Sequence, residues 1–377
     1  MWSTILLAVV SGVFLLLTGS TLYHLRWARR LPQFEPTAAG LPRCSIVIAA
    51  RDEESRIEQT VRRALAQQSV EVEVMVVDDR SADRTGEILE RLAKEDARLR
   101  VVRVDSLPAG WLGKCHACHL AATTARHEWI LFTDADCWLR PDVVARALRI
   151  AALEKVDHVA LTPGVAEETT AGAAWHLAFL ITVADWISRV NRDRGYLGVG
   201  AFNLVNASAY RECGGYEALR LTILDDVRLG LLLQRAGKRT RAFLGGDDVE
   251  CHWGTTAMGM IKIMEKNYFA ALDFRTIPAL LVGSLGLTLW GVALAAPWTG
   301  GYAGWAAGIS LLSLIVPARV LARRLGWSWR GALATPFIFP VLFYSVLNST
   351  WVTLRRGGVR WRDTFYPLEV LRRERVH

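Results

Sequence analysis

The sequence has little cysteine and no arrangement of it. Cys44, Cys115, Cys118, Cys137, Cys213 and Cys251 are scattered through 377 residues, which excludes the disulfide framework of a small secreted domain. No basic residue precedes the first apolar run, whereas a cleaved secretory leader carries positive charge there. Instead Arg26, Arg29 and Arg30 follow the run, the pattern of an uncleaved anchor whose next domain lies in the cytosol. Acidic residues are outnumbered, 37 against 45 Lys and Arg. The excess lies in clusters such as ARR at 28–30 and at 322–324, beside apolar stretches and without any nucleic-acid-binding motif. Those clusters suit an anionic membrane leaflet, and nucleic acid is not an expected partner.

What is abundant is uninterrupted apolar sequence. Residues 2–23 contain no charge and are long enough to cross ~30 Å of hydrocarbon. Similar runs cover 277–298, 302–322 and 333–354. The expected organisation is a transmembrane anchor over 1–25, an α/β domain over 40–250, an amphipathic interfacial helix over 256–275, a transmembrane region over 276–355 and a basic tail over 356–377. Three full crossings after residue 276 would leave that tail outside, against the positive-inside rule. Pro336 and Pro340 in the last run allow a broken or re-entrant segment there.

Between 43 and about 250 the pattern changes. CSIVIAA, VEVMVVDD, LRVVRV and EWILFTDAD read as strands of a mostly parallel, buried sheet. ESRIEQTVRRALAQQ and RTGEILERLAKED carry apolar positions at helical spacing between them. Such alternation implies a layered α/β fold with its ligand beyond the carboxyl ends of the strands. Acids gather at those ends: Asp52, Glu53 and Glu54 after the first strand, Asp78 and Asp79 after the second, Asp134 and Asp136 after a later one. Three acidic strand ends in one domain point to a shared acidic cleft. Asp134 and Asp136 leave their strand two residues apart and can aim hard oxygen ligands at one Mg²⁺ or Mn²⁺.

AARDEE, VVDDRSADRT, LPAGWLGK, FTDAD, GVGAFNLVNASAYRECGGYE and LDDVRLGLLLQRAGKR occur in this order over about residues 43–243. In these stretches the chain resembles the family-2 glycosyltransferases of GT-A fold, and its flanking anchors resemble the membrane-bound, ceramide-glucosyltransferase-like branch. The resemblance implies a Rossmann-like nucleotide-sugar-binding domain flanked by transmembrane helices, with inverting, metal-dependent transfer from a nucleotide-diphosphate sugar, UDP-sugars being favoured, to a membrane lipid hydroxyl. Its catalytic domain would face the cytoplasm, most simply at the plasma (inner) membrane. It places Ala50, Glu53, Asp78 and Asp79 at the nucleoside, and Asp134 and Asp136 at the metal and diphosphate. Asp225 and Asp226 match the pair carrying the catalytic base, Asp226 being favoured, and Lys114 lies within reach of the donor's phosphates. The family's QxxRW motif does not follow Asp226, so processive polysaccharide synthesis is not expected. His252, Trp253, Lys266 and Asn267 are the acceptor or diphosphate candidates in the corresponding region.

Other readings remain. A polyprenyl-phosphate acceptor would need no base, and a membrane scaffold could keep the fold without activity. Cys115, Cys118 and His119 spell CxxCH, the haem-attachment motif, which would make a membrane-anchored redox protein. The same residues fall on one helical face and would suit part of a zinc site completed by Cys137 or by Cys251 and His252. The cytosolic placement of this stretch favours small apolar residues packing a helix onto the sheet.

Overall fold

Runs rich in Val and Ile become strands because branched side chains pack well on a pleated surface. In the computed structural model, which describes residues 2–34, 40–165, 169–252 and 256–374, they form β1 (Cys44–Ala50), β2 (Val72–Asp79), β3 (Leu99–Val104), β4 (Trp129–Asp134), β5 (Cys137–Leu139), β6 (His158–Val165), β7 (Asn203–Asn206) and β8 (Thr240–Cys251). One sheet takes all eight in the order β3-β2-β1-β4-β7-β6-β8-β5. β3, β2, β1 and β4 are mutually parallel. β7 runs antiparallel to both β4 and β6.

Register brings the acidic strand ends together. Ala50 pairs with Asp78, and Ala49 with Asp134, so three carboxyl ends open at one level of the sheet. The connecting helices bury their apolar positions: Ile57, Val61 and Ala64 from Ile57–Leu65, and Leu89 and Leu92 from Thr85–Glu95. β6 and β8 slip register at Pro163. There a Cβ on Gly164 would lie 2.2 Å from the Gly246 carbonyl oxygen, so glycine permits the close approach. Beyond the bulge, β8 continues to pair with β5, setting Cys251 opposite Cys137.

Backbone contacts divide the chain into two units. The sheet lies in the unit Arg29–Ala166 with Arg189–His252, whereas Met1–Ala28, Glu167–Ser188 and Trp253–Glu374 form the other. Residues 167–188 thus join the helical unit, although they fall inside the continuous 40–250 domain expected from sequence.

Five helical stretches among the described residues are long and apolar enough to cross a membrane: Ser3–Trp27, Thr170–Val190, Thr276–Thr299, Gly301–Leu325 and Trp329–Arg356. Four match the apolar runs of the sequence and Thr170–Val190 is additional. It connects β6 to β7, which pair directly. A single crossing would put two hydrogen-bonded strands on opposite faces of a bilayer, so length and apolarity do not by themselves make this helix a span.

The last run is one continuous helix, Trp329–Arg356, despite Pro336 and Pro340. Trp290 Nε1 donates to the Pro336 carbonyl at 2.8 Å, giving that oxygen a partner from a neighbouring helix. The interruption falls instead in the preceding run, between Gly301–Leu312 and Ile315–Leu325.

The single amphipathic helix expected over 256–275 is two short ones, Ala257–Met264 and Asn267–Ala271. Met260, Met264 and Phe269 are buried. Ser349 Oγ donates to the Glu265 carbonyl at 2.6 Å and accepts from Phe269 N–H at 3.0 Å. The break between the helices therefore has its backbone groups satisfied by a side chain of Trp329–Arg356.

Candidate active site

The turns after β1 and β2 are built against each other. Asp52 and Arg80 hold left-handed backbone, φ 53° and 60°, an uncommon state for non-glycine residues that surrounding bonds must hold in place. Asp52 N–H donates to Ser81 Oγ at 3.0 Å, and Ala82 N–H returns a bond to Asp52 Oδ1 at 2.8 Å. Glu54 N–H donates to Asp83 Oδ2 at 3.0 Å, and Arg84 N–H donates to Glu54 Oε2 at 3.1 Å. Asp52 and Glu54, counted among the cleft acids from sequence, are thus spent on fastening two loops. Burial works against the Asp83 charge, but the Thr85 side chain and backbone N–H groups outweigh it and hold its carboxyl below the usual range.

Ala50 and Asp78 are buried side by side at the strand ends, and Asp78 Oδ1 accepts from Ser81 N–H at 3.2 Å. Glu53 donates its N–H to Thr85 Oγ1 at 2.8 Å. Asp79 holds the Arg80 guanidinium through both oxygens, at 2.8 and 3.0 Å. A Cβ on Gly113 would meet Asp79 Oδ2 at 2.1 Å, so only glycine lets the helix Gly113–Thr124 begin there.

At the second residue of that helix, Lys114 Nζ lies 2.6 Å from Asp134 Oδ1 and 3.5 Å from Asp225 Oδ2. Asp225 is buried and accepts from the Tyr216 hydroxyl at 2.9 Å. Asp226 is half-buried. Its Oδ2 accepts from Gly200 N–H at 2.6 Å and its Oδ1 from Val227 N–H at 2.8 Å, which fixes the carboxylate plane. A Cβ on Gly200 would stand 2.6 Å from Asp134 Oδ2 and 3.4 Å from Asp226 Oδ2, and one on Gly198 would clash with the Asp226 carbonyl. The two glycines therefore let a loop pass between Asp134 and Asp226.

Negative charge is in excess here. Burial, then the Asp225 and Asp134 anions, push the Asp226 carboxyl up from 3.8 to about 6, against the pull of Lys114. Burial and the Asp134 anion likewise raise Asp136. Burial works to lower the Lys114 pKa, yet Asp134, Asp225 and Asp226 outweigh it and hold the ammonium charged.

The sequence expectations therefore separate. Lys114, Asp134, Asp225 and Asp226 converge through direct contacts or shared fields, and Asp136 follows Asp134 in the same field. His252 donates its backbone N–H to the Asp136 carbonyl at 3.1 Å, with its ring 3.7 Å from that of Trp138. Trp253 lies outside the described residues. Lys266 and Asn267 belong to the helical unit, where Lys266 Nζ sits 3.4 Å above the Trp361 ring. Gly198, Gly200 and Tyr216 were not singled out from sequence, and the alternate glycines of GVGAFN were the available signal.

Residues 45–215 match the family described as Glycosyl transferase family 2. The chain carries a family 2 glycosyltransferase domain. Its curated relatives include the 4,4'-diaponeurosporenoate glycosyltransferase of Staphylococcus haemolyticus, 27% identical over 61% of each chain. The beta-monoglucosyldiacylglycerol synthase of Trichormus variabilis is 29% identical over 56% of this chain and 43% of its own. This chain thus spans about three fifths or less of the length of these relatives. Among solved structures, mannosyltransferase PcManGT from Pyrobaculum calidifontis, in complex with GDP-Man and Mn²⁺, superposes with a TM-score of 0.58 at 17% identity, covering 94% of this chain and 100% of the other. That likeness establishes the fold, and the family 2 domain is GT-A-like, an α/β sheet with long apolar helices elsewhere in the chain. Haem attachment at CxxCH finds no support in this fold: Cys115 and Cys118 are buried in Gly113–Thr124, and Cys115 Sγ donates to the Thr222 carbonyl.

Proposed function

We propose that the family 2 domain transfers a sugar from a nucleotide-diphosphate sugar, UDP-sugars being favoured, to a lipid hydroxyl with inversion. The observation carrying this reading is the Asp226 carboxylate, half-buried, fixed by two backbone N–H groups and raised to about 6. An alcohol attacks poorly until its proton is taken, and a base with a pKa near the working pH is suited to take it. In the proposed step Asp226 accepts the hydroxyl proton. The alcohol oxygen then bonds to the anomeric carbon opposite the bond to the diphosphate, which departs with that electron pair. Asp225 positions Lys114, whose ammonium is available to the donor's phosphates, while Ala50, Glu53, Asp78 and Asp79 offer the nucleoside site.

The donor set suits a hard divalent cation. Asp134 and Asp136 present carboxylate oxygens, and Asp136 and Asp226 are raised first by burial and then by neighbouring anions, charge that a cation would offset. Asp134 and Asp136 would hold Mg²⁺ or Mn²⁺, which would neutralise charge developing on the diphosphate. That leaves Asp226 to act on the acceptor side, with Asp225 engaged by Lys114 and Tyr216. The Arg26, Arg29 and Arg30 cluster supports a cytoplasmic catalytic domain at the inner membrane. The curated relatives, named for 4,4'-diaponeurosporenoate and for monoglucosyldiacylglycerol, support a lipid acceptor.

A polyprenyl phosphate acceptor would leave Asp226 without a proton to accept, so the raised carboxyl favours a hydroxyl. Membranes incubated with labelled nucleotide sugars distinguish the two. A lipid product stable in mild acid is expected, and a product labile there would shift the reading to polyprenyl phosphate. Full transfer activity in Asp136→Ala would overturn both.

A further inference from the structure

The strands β5 and β8 assemble a second set of metal-ligating atoms of a different chemical kind. Cys137 and Cys251 are directly opposed in the antiparallel ladder. Both are buried, at 0% and 2% exposure, and neither is in a disulfide. Asp136 completes the group: Cys137 Sγ lies 3.6 Å from Asp136 Oδ1, and one ligand atom from each of the three residues lies within 4.8 Å of the others. The bond from His252 N–H to the Asp136 carbonyl extends the ladder and fixes the backbone on both sides.

Tetrahedral coordination with metal–sulfur and metal–carboxylate bonds of about 2.3 and 2.0 Å separates such ligands by about 3.5–3.8 Å. The Cys137–Asp136 separation already meets this, and the other separations are no wider than 4.8 Å. Two sulfurs and one carboxylate select a soft or borderline cation, whereas the oxygens of Asp134 and Asp136 select a hard one. Among the described residues this is the one group of three that meets the distance condition, and it does not include the Cys115–Cys118 pair of the CxxCH motif.

We propose that Cys137, Cys251 and Asp136 form a binding site for a thiophilic divalent cation of the Zn²⁺ or Cd²⁺ kind, its fourth position taken by water entering from the half-buried Asp136 side. Binding releases two thiol protons to solvent and forms two metal–sulfur bonds and one metal–oxygen bond, with no change in oxidation state. Asp136 cannot serve this ion and a hard cation shared with Asp134 in full at the same time. Occupation of the thiol site therefore inhibits transfer. This consequence rests on the function proposed above, whereas the site itself does not.

Titrating reduced, full-length protein in detergent with Cd²⁺ tests the site through thiolate-to-cadmium charge-transfer absorption in the ultraviolet. Saturation at one equivalent is expected. Cys137→Ser and Cys251→Ser should each weaken binding by about tenfold or more, their combination should abolish the signal, and Cys115→Ser with Cys118→Ser should leave it in place. Thermal unfolding of each variant verifies its fold, and the single variants suffice where the double one does not fold. No absorption from the unaltered protein, or equal absorption after loss of Cys137 and Cys251, overturns the site. In Mn²⁺-supported transfer assays one equivalent of Cd²⁺ should inhibit the unaltered protein and spare Cys251→Ser. Binding without inhibition overturns the competition alone. Absence of transfer with any donor and lipid strikes the proposed function and leaves the absorption result standing.

Discussion

Two groups of carboxylates lie near the carboxyl ends of neighbouring strands, the second completed by Asp225 and Asp226 from the start of the helix Asp225–Arg235, and they differ in what surrounds them. Asp52, Glu54 and Asp83 each accept bonds from backbone N–H groups of the adjoining turn. Asp134, Asp136, Asp225 and Asp226 crowd one another, and Lys114 contacts only Asp134 and Asp225 of them. Against its burial, the Thr85 side chain and backbone N–H groups hold Asp83 low, whereas burial and then neighbouring anions raise Asp136 and Asp226. Asp226 also accepts from two backbone N–H groups, so burial and neighbouring charge, and not missing hydrogen bonds, separate it from Asp83.

The largest effect that can break this comparison is on transfer. Asp226→Asn keeps the size of the side chain and removes the base, so the rate should fall by about 10²- to 10⁴-fold, with nucleotide-sugar affinity changed far less. Single-turnover kinetics with labelled donor measure the two separately. A rate within a few-fold of the unaltered protein would remove Asp226 from the reaction.

A pH series sharpens the contrast through its sign. Asp226 has a folded pKa of about 6 against an ordinary 3.8, so between those values the folded state binds the extra proton. Stability from this group is therefore greatest in acid and declines as pH rises towards 6, by about 3 kcal/mol in the limit. Measured in chelator by thermal unfolding, Asp226→Asn should be the more stable protein at pH 8, with the gap closing near pH 4. Asp83, held low, has the opposite slope, contributing above its ordinary value and losing that contribution as acid protonates the folded state. Parallel pH profiles for the two variants would refute the division.

Lys114→Met removes the ammonium that Asp134 and Asp225 share. Breaking a fully buried pair costs about 3–5 kcal/mol, and with Lys114 22% exposed the loss should be nearer 2 kcal/mol. Mn²⁺ should restore part of it if added positive charge is what the cluster lacks. Unfolding curves with and without Mn²⁺ decide this, and an unchanged deficit would mean that Lys114 acts by packing.

Much of this arrangement was legible in the residues, and the missing parts share a cause. Short Val- and Ile-rich runs alternating with amphipathic stretches identify the sheet, and acids ending those runs identify its functional edge. Asp134 follows from that placement, whereas Lys114 and Asp226 come from the family resemblance. What residue types do not reveal is which way an acid turns. Asp52 and Glu54 look like cleft residues until the left-handed backbone at Asp52 and Arg80 turns two loops towards each other. Gly198 and Gly200 acquire meaning only when Asp226, from a separate helix, packs against them. Thr170–Val190 was hidden by its position between two strands of one sheet, and its membership of the helical unit is a long-range property. Tyr216, a buried aromatic by composition, gains a role only through its hydroxyl on Asp225.

The smallest effect tests the quiet side of the comparison. Asp83 Oδ2 accepts from Glu54 N–H and its Oδ1 from Thr85 N–H, each at 3.0 Å, just ahead of the helix Thr85–Glu95. Replacing an acid that caps helix-entry N–H groups typically costs about 1 kcal/mol, and Asp83→Ala should lose that amount. Because its carboxylate serves the loop rather than the cleft, transfer per folded molecule should stay near that of the unaltered protein. Parallel denaturation and transfer assays on one preparation separate the two quantities. A rate loss approaching that of Asp226→Asn, with stability intact, would place Asp83 among the reacting groups and dissolve the distinction between satisfied and crowded acids.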